Sequence, residues 1–472
     1  MKPDTDTIAA IASAVGRGAI AVVRLSGKEA FPIFSRLINR EAAEKLEARR
    51  AQLVRLFFPD GALEGYGLDF VDDCIVVPYV APDSYTGEDL IEIFCHGGSL
   101  VPNLVLESLI HAGARLAKPG EFTLRAFLNG KMDLAQAESI EYIVSSRTAA
   151  ELRLAHHHYS GRFSSEIRQL RSELIDLLSL LELELDFSDE DVEFASREEL
   201  MQRLHSLEEL LMRLVRSFER SHLVREGIYV AIVGKPNVGK SSLLNLVLKK
   251  ERAIVTDIPG TTRDVIEEAV DISGYKFVLV DTAGIRDADD VVEQEGVRRS
   301  ESVLEQAPLV LFLVDQHAHL QKEDWEVRQR MLQHGGLSEK KIILILNKND
   351  LDPVLTDAEI EQIGAGFERV RMSCRTGEGL DVLEEILIRT AKELLGETEE
   401  IQAVLGSLRQ KEAAQRALEA LQDALRHFQE GLSQEFVAAD LRVATDALGE
   451  LIGVVTTEDI LGNIFSHFCI GK

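Results

Sequence analysis

A glycine-rich segment that ends in a lysine and a serine gives the strongest chemical signal in the sequence. Residues 234–241 read Gly-Lys-Pro-Asn-Val-Gly-Lys-Ser, the pattern G-x-x-x-x-G-K-S, directly after an apolar run that ends at Val233. Glycines let the backbone wrap around phosphates, with its N–H groups pointing inward at a helix N-terminus. We expect Lys240 to reach the β- and γ-phosphates of a nucleotide and Ser241 to bind Mg²⁺. The predicted nucleotide-binding residues here also include Asn237, Val238, Gly239 and Ser242.

A second chemical motif, Asp-Thr-Ala-Gly, occupies residues 281–284 behind the apolar run 277–280. An aspartate at the carboxyl end of a buried strand can hold Mg²⁺ through water. The N–H of Gly284 is suited to sensing the γ-phosphate. The pattern D-x-x-G is by itself usually a turn, but its position behind a phosphate loop assigns it to the same site. The predicted residues are Asp281, Thr282, Ala283 and Gly284.

A third motif, Asn-Lys-Asn-Asp, occupies residues 347–350 after another apolar run. The carboxylate of Asp350 can accept the N1–H and the exocyclic amino group of guanine. Adenine lacks that pair of donors, so an unpaired buried carboxylate would penalise ATP relative to GTP. We expect Asn347 and Lys348 to brace the loop and stack on the base, and Ser373 to begin a third loop beside the base.

A polar loop between the first two motifs is expected to change conformation with the nucleotide. It contains Gly260-Thr261-Thr262, and one threonine hydroxyl would complete the Mg²⁺ shell. Ile285 stands where Ras-like enzymes place the glutamine that orients the attacking water, and an aliphatic side chain cannot do this. The protein is therefore a slow hydrolase, or another group positions the water. Spacing cannot choose among the nearby acidic residues, which are Asp287, Asp289, Asp290, Glu293 and Glu295.

The composition limits the kind of protein that carries these motifs. The chain has 472 residues, enough for about three domains. It has 52 Lys and Arg against 80 Asp and Glu, and a net charge of −28 disfavours non-specific binding to nucleic acid. Four widely spaced cysteines favour reduced thiols over a disulfide framework. The N-terminus lacks the apolar region of a signal peptide and no apolar run is long enough to span a bilayer, so we expect a cytoplasmic protein without a membrane partner.

The hydrophobic periodicity predicts an α/β plus all-α protein. Residues 19–25, 73–79 and 91–94 are typical strands of a small N-terminal α/β domain. Leucines then repeat at helical spacing, and later apolar strands alternate with helices, as in a mostly parallel Ras-like sheet covered on both faces. Helical spacing returns near Leu418. The simplest arrangement is one helical domain interrupted by the nucleotide-binding domain, although the pattern leaves two separate bundles open. The expected bounds are 1–120, 121–222, 223–395 and 396–472.

Together these motifs resemble the MnmE (TrmE) tRNA modification GTPases along the full chain. The phosphate loop is shared by many GTPases, but the N-terminal segments and the terminal Cys-Ile-Gly-Lys are specific. The resemblance implies a folate-binding and dimerising N-terminal domain, followed by a helical domain that the GTPase domain interrupts. It is carried by 234–241, 260–264, 281–284, 87–89, 96–98, 119–122, 125–129 and 468–472.

The resemblance also implies how GTP is hydrolysed. In the family, a K⁺ ion takes the place of an arginine finger and promotes dimerisation of the GTPase domains; such a cation would neutralise charge that develops between the phosphates. Thr262 matches the Mg²⁺ ligand, and Glu293 matches the acidic residue that orients the attacking water, which assigns catalytic roles to Glu293, Lys240 and Thr262. The matching K⁺ ligands are Asn237, Thr256, Ile258 and Thr261.

Finally, the resemblance implies a substrate and partners. With an FAD-binding partner (MnmG, GidA), the family modifies carbon 5 of the wobble uridine of certain tRNAs, using a one-carbon unit from a tetrahydrofolate such as the 5-formyl or 5,10-methylene form. The matching folate residues are Arg24, Glu92, Lys131 and Lys472. The alternative is a GTP-dependent RNA or ribosome assembly factor without modification chemistry. Such a factor would be expected to carry a basic RNA-binding module, whereas this chain is acidic.

Overall fold

The computed structural model describes twelve stretches of the chain, which form two compact units. The first unit comprises Met1–Glu141, His158–Leu207 and Ala413–Lys472, and the second comprises Tyr142–His157 and Glu208–Glu412. The described residues are 6–14, 16–59, 67–186, 196–250, 252–253, 267–281, 307–334, 340–395, 404–456, 458–466, 468 and 470–471.

A six-stranded sheet forms the N-terminal part of the first unit. The strand order is β3-β4-β5-β2-β1-β6, and all neighbours are antiparallel except β1 and β6. The strands are β1 Ile8–Ile11, β2 Ile20–Ser26, β3 Gln52–Leu56, β4 Asp72–Tyr79, β5 Leu90–His96 and β6 Arg115–Leu116.

One face of this sheet carries the core. Because side chains alternate between faces, Val23 and Leu25 of β2 and Ile93 of β5 point together into an apolar cluster. Helices α1 Ala30–Ser35 and α3 Val101–His111 contribute the other half of that cluster, and α2 Arg40–Glu44 lies between them in the chain. The opposite face is covered at β1, where Ile8 and Ala10 pack with Phe122 in a separate apolar cluster, and it carries polar side chains on β2 and β5.

In the described part of the chain, five helices follow the sheet. The two long ones repeat leucines at three- and four-residue spacing, and those leucines are buried while the intervening charged residues are exposed. The helices are α4 Glu121–Leu128, α5 Leu134–Ser145, α6 Ala149–Tyr159, α7 Arg162–Asp186 and α8 Arg197–Glu226.

A seven-stranded, mostly parallel sheet forms the core of the second unit. Its order is β13-β12-β11-β7-β10-β9-β8, and among the described strands only the pairs β10–β9 and β9–β8 are antiparallel. The strands are β7 Ile228–Val233, β8 Arg252–Ala253, β9 Glu267–Ile272, β10 Tyr275–Asp281, β11 Leu309–Asp315, β12 Lys341–Asn347 and β13 Glu368–Arg371.

Helices cover this parallel sheet on both faces. Two separate apolar clusters lie on opposite faces of β7, β11 and β12, which explains why these strands are apolar at nearly every position. The described helices of the sheet are α9 Lys240–Lys250, α10 Lys322–His334, α11 Asp357–Ile363 and α12 Leu380–Leu395. The carboxyl ends of β7, β10, β11 and β12 lie at one edge, where ligands of parallel sheets bind.

From Ala413 onward, the last helices of the chain belong to the first unit. They are α13 Leu408–Glu430, α14 Gln434–Ile452 and α15 Glu458–Ser466. Helix α14 runs antiparallel to α7, since Arg171 donates to Thr445 O at 3.3 Å and Gln434 donates to Glu184 at 2.7 Å. Helices from before and after the parallel sheet thus share one core, and the predicted fold class is confirmed. None of the described helices has the length and apolar character needed to cross a bilayer.

Candidate functional site

The glycine-rich loop connects β7 to α9 at the ligand-binding edge of the parallel sheet. Gly239 has a φ of +105°, and a Cβ atom there would lie 2.2 Å from the Asn347 amide nitrogen, so only glycine fits. Lys240 is 6% exposed, and its Nζ donates to Gly234 O and Lys235 O at 2.8 Å each. The main chain therefore holds this ammonium group at the loop, where it can meet phosphate oxygens.

Two predicted Mg²⁺-binding groups come together beside this loop. Ser241 Oγ donates to Asp281 Oδ2 at 2.9 Å, because α9 and the end of β10 meet at the same edge of the sheet. A hydroxyl and a carboxylate are the oxygen ligands that Mg²⁺ prefers, and both residues stand at the mouth of the phosphate loop. Val238 is buried in the core below the loop, whereas Asn237 and Ser242 are exposed.

The predicted base-binding residues form a second hydrogen-bonded group. The Ser373 hydroxyl donates to Asp350 Oδ1 at 2.6 Å. This hydrogen bond holds the pKa of the Asp350 carboxyl below its ordinary value, and the nearby Arg375 and Lys348 charges act in the same direction. Asp350 is therefore an ionised group that only accepts hydrogen bonds, as recognition of the N–H edge of guanine requires.

Asn347 connects the phosphate and base regions. Its side-chain amide donates to Val238 O at 2.7 Å, and its Oδ1 accepts the N–H of Cys374 at 3.0 Å. Lys348 has a φ of +71°, and its ammonium group lies 2.5 Å from the carboxylate of Asp315 at the end of β11. The loop is thus fixed by side chains rather than by regular secondary structure.

Several residues that build this site did not emerge from the sequence motifs. Asp315 follows a buried strand in the same way as Asp281, and that signal could have identified it. Buried Gln316 donates to Asn349 Oδ1 at 3.0 Å, and Asn349 in turn donates to Glu378 at 2.8 Å. These two hydrogen bonds join the two predicted base-binding loops, and no sequence motif contains Gln316 or Glu378.

A polar cluster lies on the sheet face of the first unit that is opposite the core. Arg24 and Glu92 are paired residues of β2 and β5, and Arg24 Nε donates to Glu92 Oε1 at 2.9 Å. Gly471 O lies 3.4 Å from Arg24 Nη1, so the end of the chain returns to this cluster. Lys131 is anchored through its Nζ to Pro82 O at 2.9 Å. Within the part of the chain that the structure describes, Lys131 forms no hydrogen bond or ion pair with Arg24 or Glu92.

Some predicted site residues lie outside the described part of the chain. These are the residues of the polar loop between the first two motifs, most of the second motif, the predicted water-orienting acid and the terminal lysine. They comprise Thr256, Ile258, Thr261, Thr262, Thr282, Ala283, Gly284, Glu293 and Lys472.

Comparison with known proteins identifies the family. The MnmE helical domain model matches residues 134–469, and the model of the N-terminus of the GTP-binding protein TrmE matches residues 7–131. The tRNA modification GTPase MnmE of Syntrophus aciditrophicus is 43% identical over 472 residues, which cover 99% of each chain. The protein of that name from Parabacteroides distasonis is 39% identical over 99% of this chain and 100% of its own. The G domain of the T. maritima FeoB iron transporter aligns at 27% identity over 35% of this chain and 98% of its own, with a TM-score of 0.27. Since the family models and the relatives together span the whole chain, it belongs to the MnmE family of tRNA modification GTPases.

Proposed function

We propose that this GTPase works in the modification of carbon 5 of the wobble uridine of certain tRNAs, with an FAD-binding partner of the MnmG type and a tetrahydrofolate one-carbon donor. As a member of its family, the chain is a GTP-hydrolysing enzyme. Membership of the family supports the tRNA part of the proposal. The observation that carries the GTPase part is two hydrogen-bonded pairs, Ser241–Asp281 beside the phosphate loop and Ser373–Asp350 in the predicted base-binding loops. The first pair suits a magnesium-bound phosphate chain, and the second suits guanine.

Mg²⁺ and K⁺ have distinct proposed roles at the phosphates. Ser241 and Asp281 supply hard oxygen ligands for Mg²⁺, and Thr262 is proposed to complete its shell. Asn237 has a φ of +64° and an exposed side chain on the phosphate loop, so its amide oxygen is accessible to a second cation. We propose that K⁺ binds there with Thr256, Ile258 and Thr261, and that it stabilises the charge that develops during hydrolysis.

Within this chain, Lys240 would neutralise the phosphates, while Glu293 is the proposed group that orients the attacking water. Ile285 has no polar atom for that task. A carboxylate that acts through an intervening water would hold the nucleophile in line with the phosphate without touching it. The proposed division of labour is binding by Asp350, charge stabilisation by Lys240 and Thr262, and water orientation by Glu293.

The folate donor is proposed to bind at the Arg24–Glu92 cluster. These side chains are 22% and 17% exposed, so each can reach a ligand while remaining paired. A carboxylate suits the N–H edge of a pterin, and cations suit the carboxylates of the glutamate tail. Lys131 and Lys472 are proposed to supply further positive charge. The neighbouring Gly471 lies against β1, where an added Cβ would be 2.3 Å from Ile11 O.

A homodimer is proposed to form through strands β3, β4, β5 and β2, on the sheet face that carries Arg24 and Glu92. The strand register places Leu53, Ile75, Phe94 and Val22 in one row across β3, β4, β5 and β2. Leu53 is 75% exposed and Ile75 is 47% exposed, and Ile20 beside the row is 63% exposed. An apolar row that crosses four strands is typical of a surface that a second protein covers. A second copy of this chain is the proposed occupant.

The decisive experiment is the modification state of wobble uridines in cells that lack this protein. Loss of the carbon-5 group, restored by the wild-type gene, is the expected result. If the wobble nucleosides of these cells were the same as those of the wild type, the proposal would be refuted. A defect in ribosomal particles without a change in the nucleosides would instead support a GTP-dependent assembly factor.

A further inference from the structure

The second residue of the phosphate loop is held by a buried carboxylate from a neighbouring helix. Lys235 Nζ lies 2.8 Å from Asp324 Oδ2 and 3.2 Å from Gln321 Oε1. The Lys235 side chain is 12% exposed, and that of Asp324 is completely buried. Such a contact differs from the exposed ion pairs of the surface, because burial of the carboxylate reduces its screening by solvent.

Within the described residues, only one of the two carboxylate oxygens of Asp324 accepts hydrogen bonds. Asp324 lies in the first turn of α10, and its Oδ2 also accepts the N–H of Gln321 at 2.9 Å. Its Oδ1 is buried, and within the described residues this atom has no hydrogen-bond partner. Burial of an ionised and partly satisfied carboxylate opposes folding unless a charge compensates it. Lys235 supplies that charge, so the pair couples α10 to the phosphate loop.

The same lysine contacts the nucleotide-binding ammonium group through its main chain. Lys235 O accepts a hydrogen bond from Lys240 Nζ at 2.8 Å, next to the matching bond to Gly234 O. Lys235 therefore uses its side chain toward Asp324 and its carbonyl toward Lys240. Displacement of the Lys235 side chain would shift the carbonyl that fixes the ammonium group.

We propose that Asp324 is a positioning residue for nucleotide binding: through Lys235 it holds the phosphate loop in the conformation that presents Lys240 to the phosphates. The inference rests on the proposed role of this loop in binding GTP. Asp324 itself does not touch the nucleotide. A loop that is already ordered loses less conformational freedom on binding, which strengthens the binding of nucleotides with a β-phosphate.

The sign of the change in nucleotide affinity in Asp324→Asn distinguishes a positioning role from a purely electrostatic role. Asp324→Asn removes a negative charge near a site for anionic phosphates, so Coulomb interaction alone would tighten binding. Loss of positioning would weaken it. In the full-length protein with Mg²⁺, we expect Asp324→Asn to weaken GDP binding roughly tenfold, within the range for residues coupled in one hydrogen-bond network. Glu326→Gln is the matched control, since its pair with Lys322 lies on the same helix and is exposed.

A double-mutant cycle tests whether the effect passes through Lys235. Lys235→Met should also weaken GDP binding, and Asp324→Asn added to it should change the affinity by less than about twofold. Additive losses, or unchanged or tighter binding by Asp324→Asn alone, would overturn the proposal. Absence of GDP binding by the wild-type protein would instead refute the proposed function of the loop.

A second measurement covers the case in which Asp324→Asn does not fold. Lys235→Met is then compared with wild type by amide hydrogen exchange in nucleotide-free protein. The amides of residues 237–240 should exchange faster in the variant, while those of β7 should not change. Equal exchange in the loop would show that the pair does not order it and would overturn the proposal.

Discussion

Replacement of Asp350 by asparagine should exchange the base preference of the site. The carboxylate presents two acceptors, and the Ser373 hydroxyl at 2.6 Å fixes its orientation. An asparagine has the same shape but presents one acceptor and one donor. The amide N–H₂ of the asparagine would face the exocyclic amino group of guanine, and two donors cannot form a hydrogen bond with each other. Xanthine carries a carbonyl oxygen at that position, which can accept the bond. The Asp350→Asn variant should therefore lose affinity for GDP and gain affinity for XDP.

The magnitude follows from the hydrogen bonds that change. In the wild type, guanine donates two hydrogen bonds to a charged acceptor, and in the variant it donates one hydrogen bond to a neutral acceptor. Because Asp350 is an exposed residue, water replaces part of the lost interaction. We expect the affinity for GDP to decrease on the order of 100-fold.

Competition against a fluorescent nucleotide measures both affinities in the same protein. Asp352→Asn is the control, because it removes the same charge from an exposed residue two positions later. We expect the control to bind GDP as the wild type does. If Asp350→Asn still preferred GDP over XDP by the wild-type ratio, this carboxylate would not read the base, and the third motif would have another role.

Three further outcomes are expected. Hydrolysis should be much faster in K⁺ than in Na⁺, because the smaller ion does not fit the same set of oxygens; equal rates would exclude the proposed cation site. Glu293→Ala should lower the turnover rate and leave nucleotide affinity nearly unchanged, and unaltered turnover would assign the water to another residue. Burial opposes ionisation of Glu121, but hydrogen bonds from Arg115 and Lys118 N–H bring its pKa below the ordinary value of 4.5. Ionised Glu121 therefore stabilises the fold above that pH and loses this contribution as the pH falls, so Glu121→Gln should speed amide exchange in β1 at neutral pH, and the difference from wild type should shrink below pH 4.5. A difference that does not depend on pH would contradict the ionic origin.

The sequence predicts those parts of the site whose residues directly follow a strand, because the strand then fixes where they lie. The first three motifs each follow a buried strand, and parallel strands bring their carboxyl ends to one edge. This topology alone requires Ser241 to approach Asp281 and brings Asp350 close to Ser373. Glycine at position 239 is equally predictable, since a phosphate loop needs a close approach of the main chain.

The remaining contacts depend on register and on distant packing, for which the sequence carries no local signal. Arg24 and Glu92 are 68 positions apart, and a shift of one residue in the pairing of β2 with β5 would have placed them on opposite faces. Lys235 and Asp324 are 89 positions apart. An aspartate in the first turn of a helix is ordinary, because it complements the helix dipole, so its sequence context did not mark Asp324 as a partner of the phosphate loop.

The side-chain amide of Asn347 connects the loop that contains Val238 with the loop that contains Cys374. Its two ends hold Val238 O at 2.7 Å and Cys374 N–H at 3.0 Å, so the separation between the loop around the phosphates and the loop around the base is set by a single short side chain. The absence of a Cβ at Gly239 is what lets this amide approach so closely. A leucine of similar size at position 347 would leave both main-chain groups unpaired and buried, which costs more than the loss of the hydrogen bonds themselves. The asparagine therefore sets the spacing between the two loops, which is a role separate from the proposed nucleotide contacts of Lys240 and Asp350.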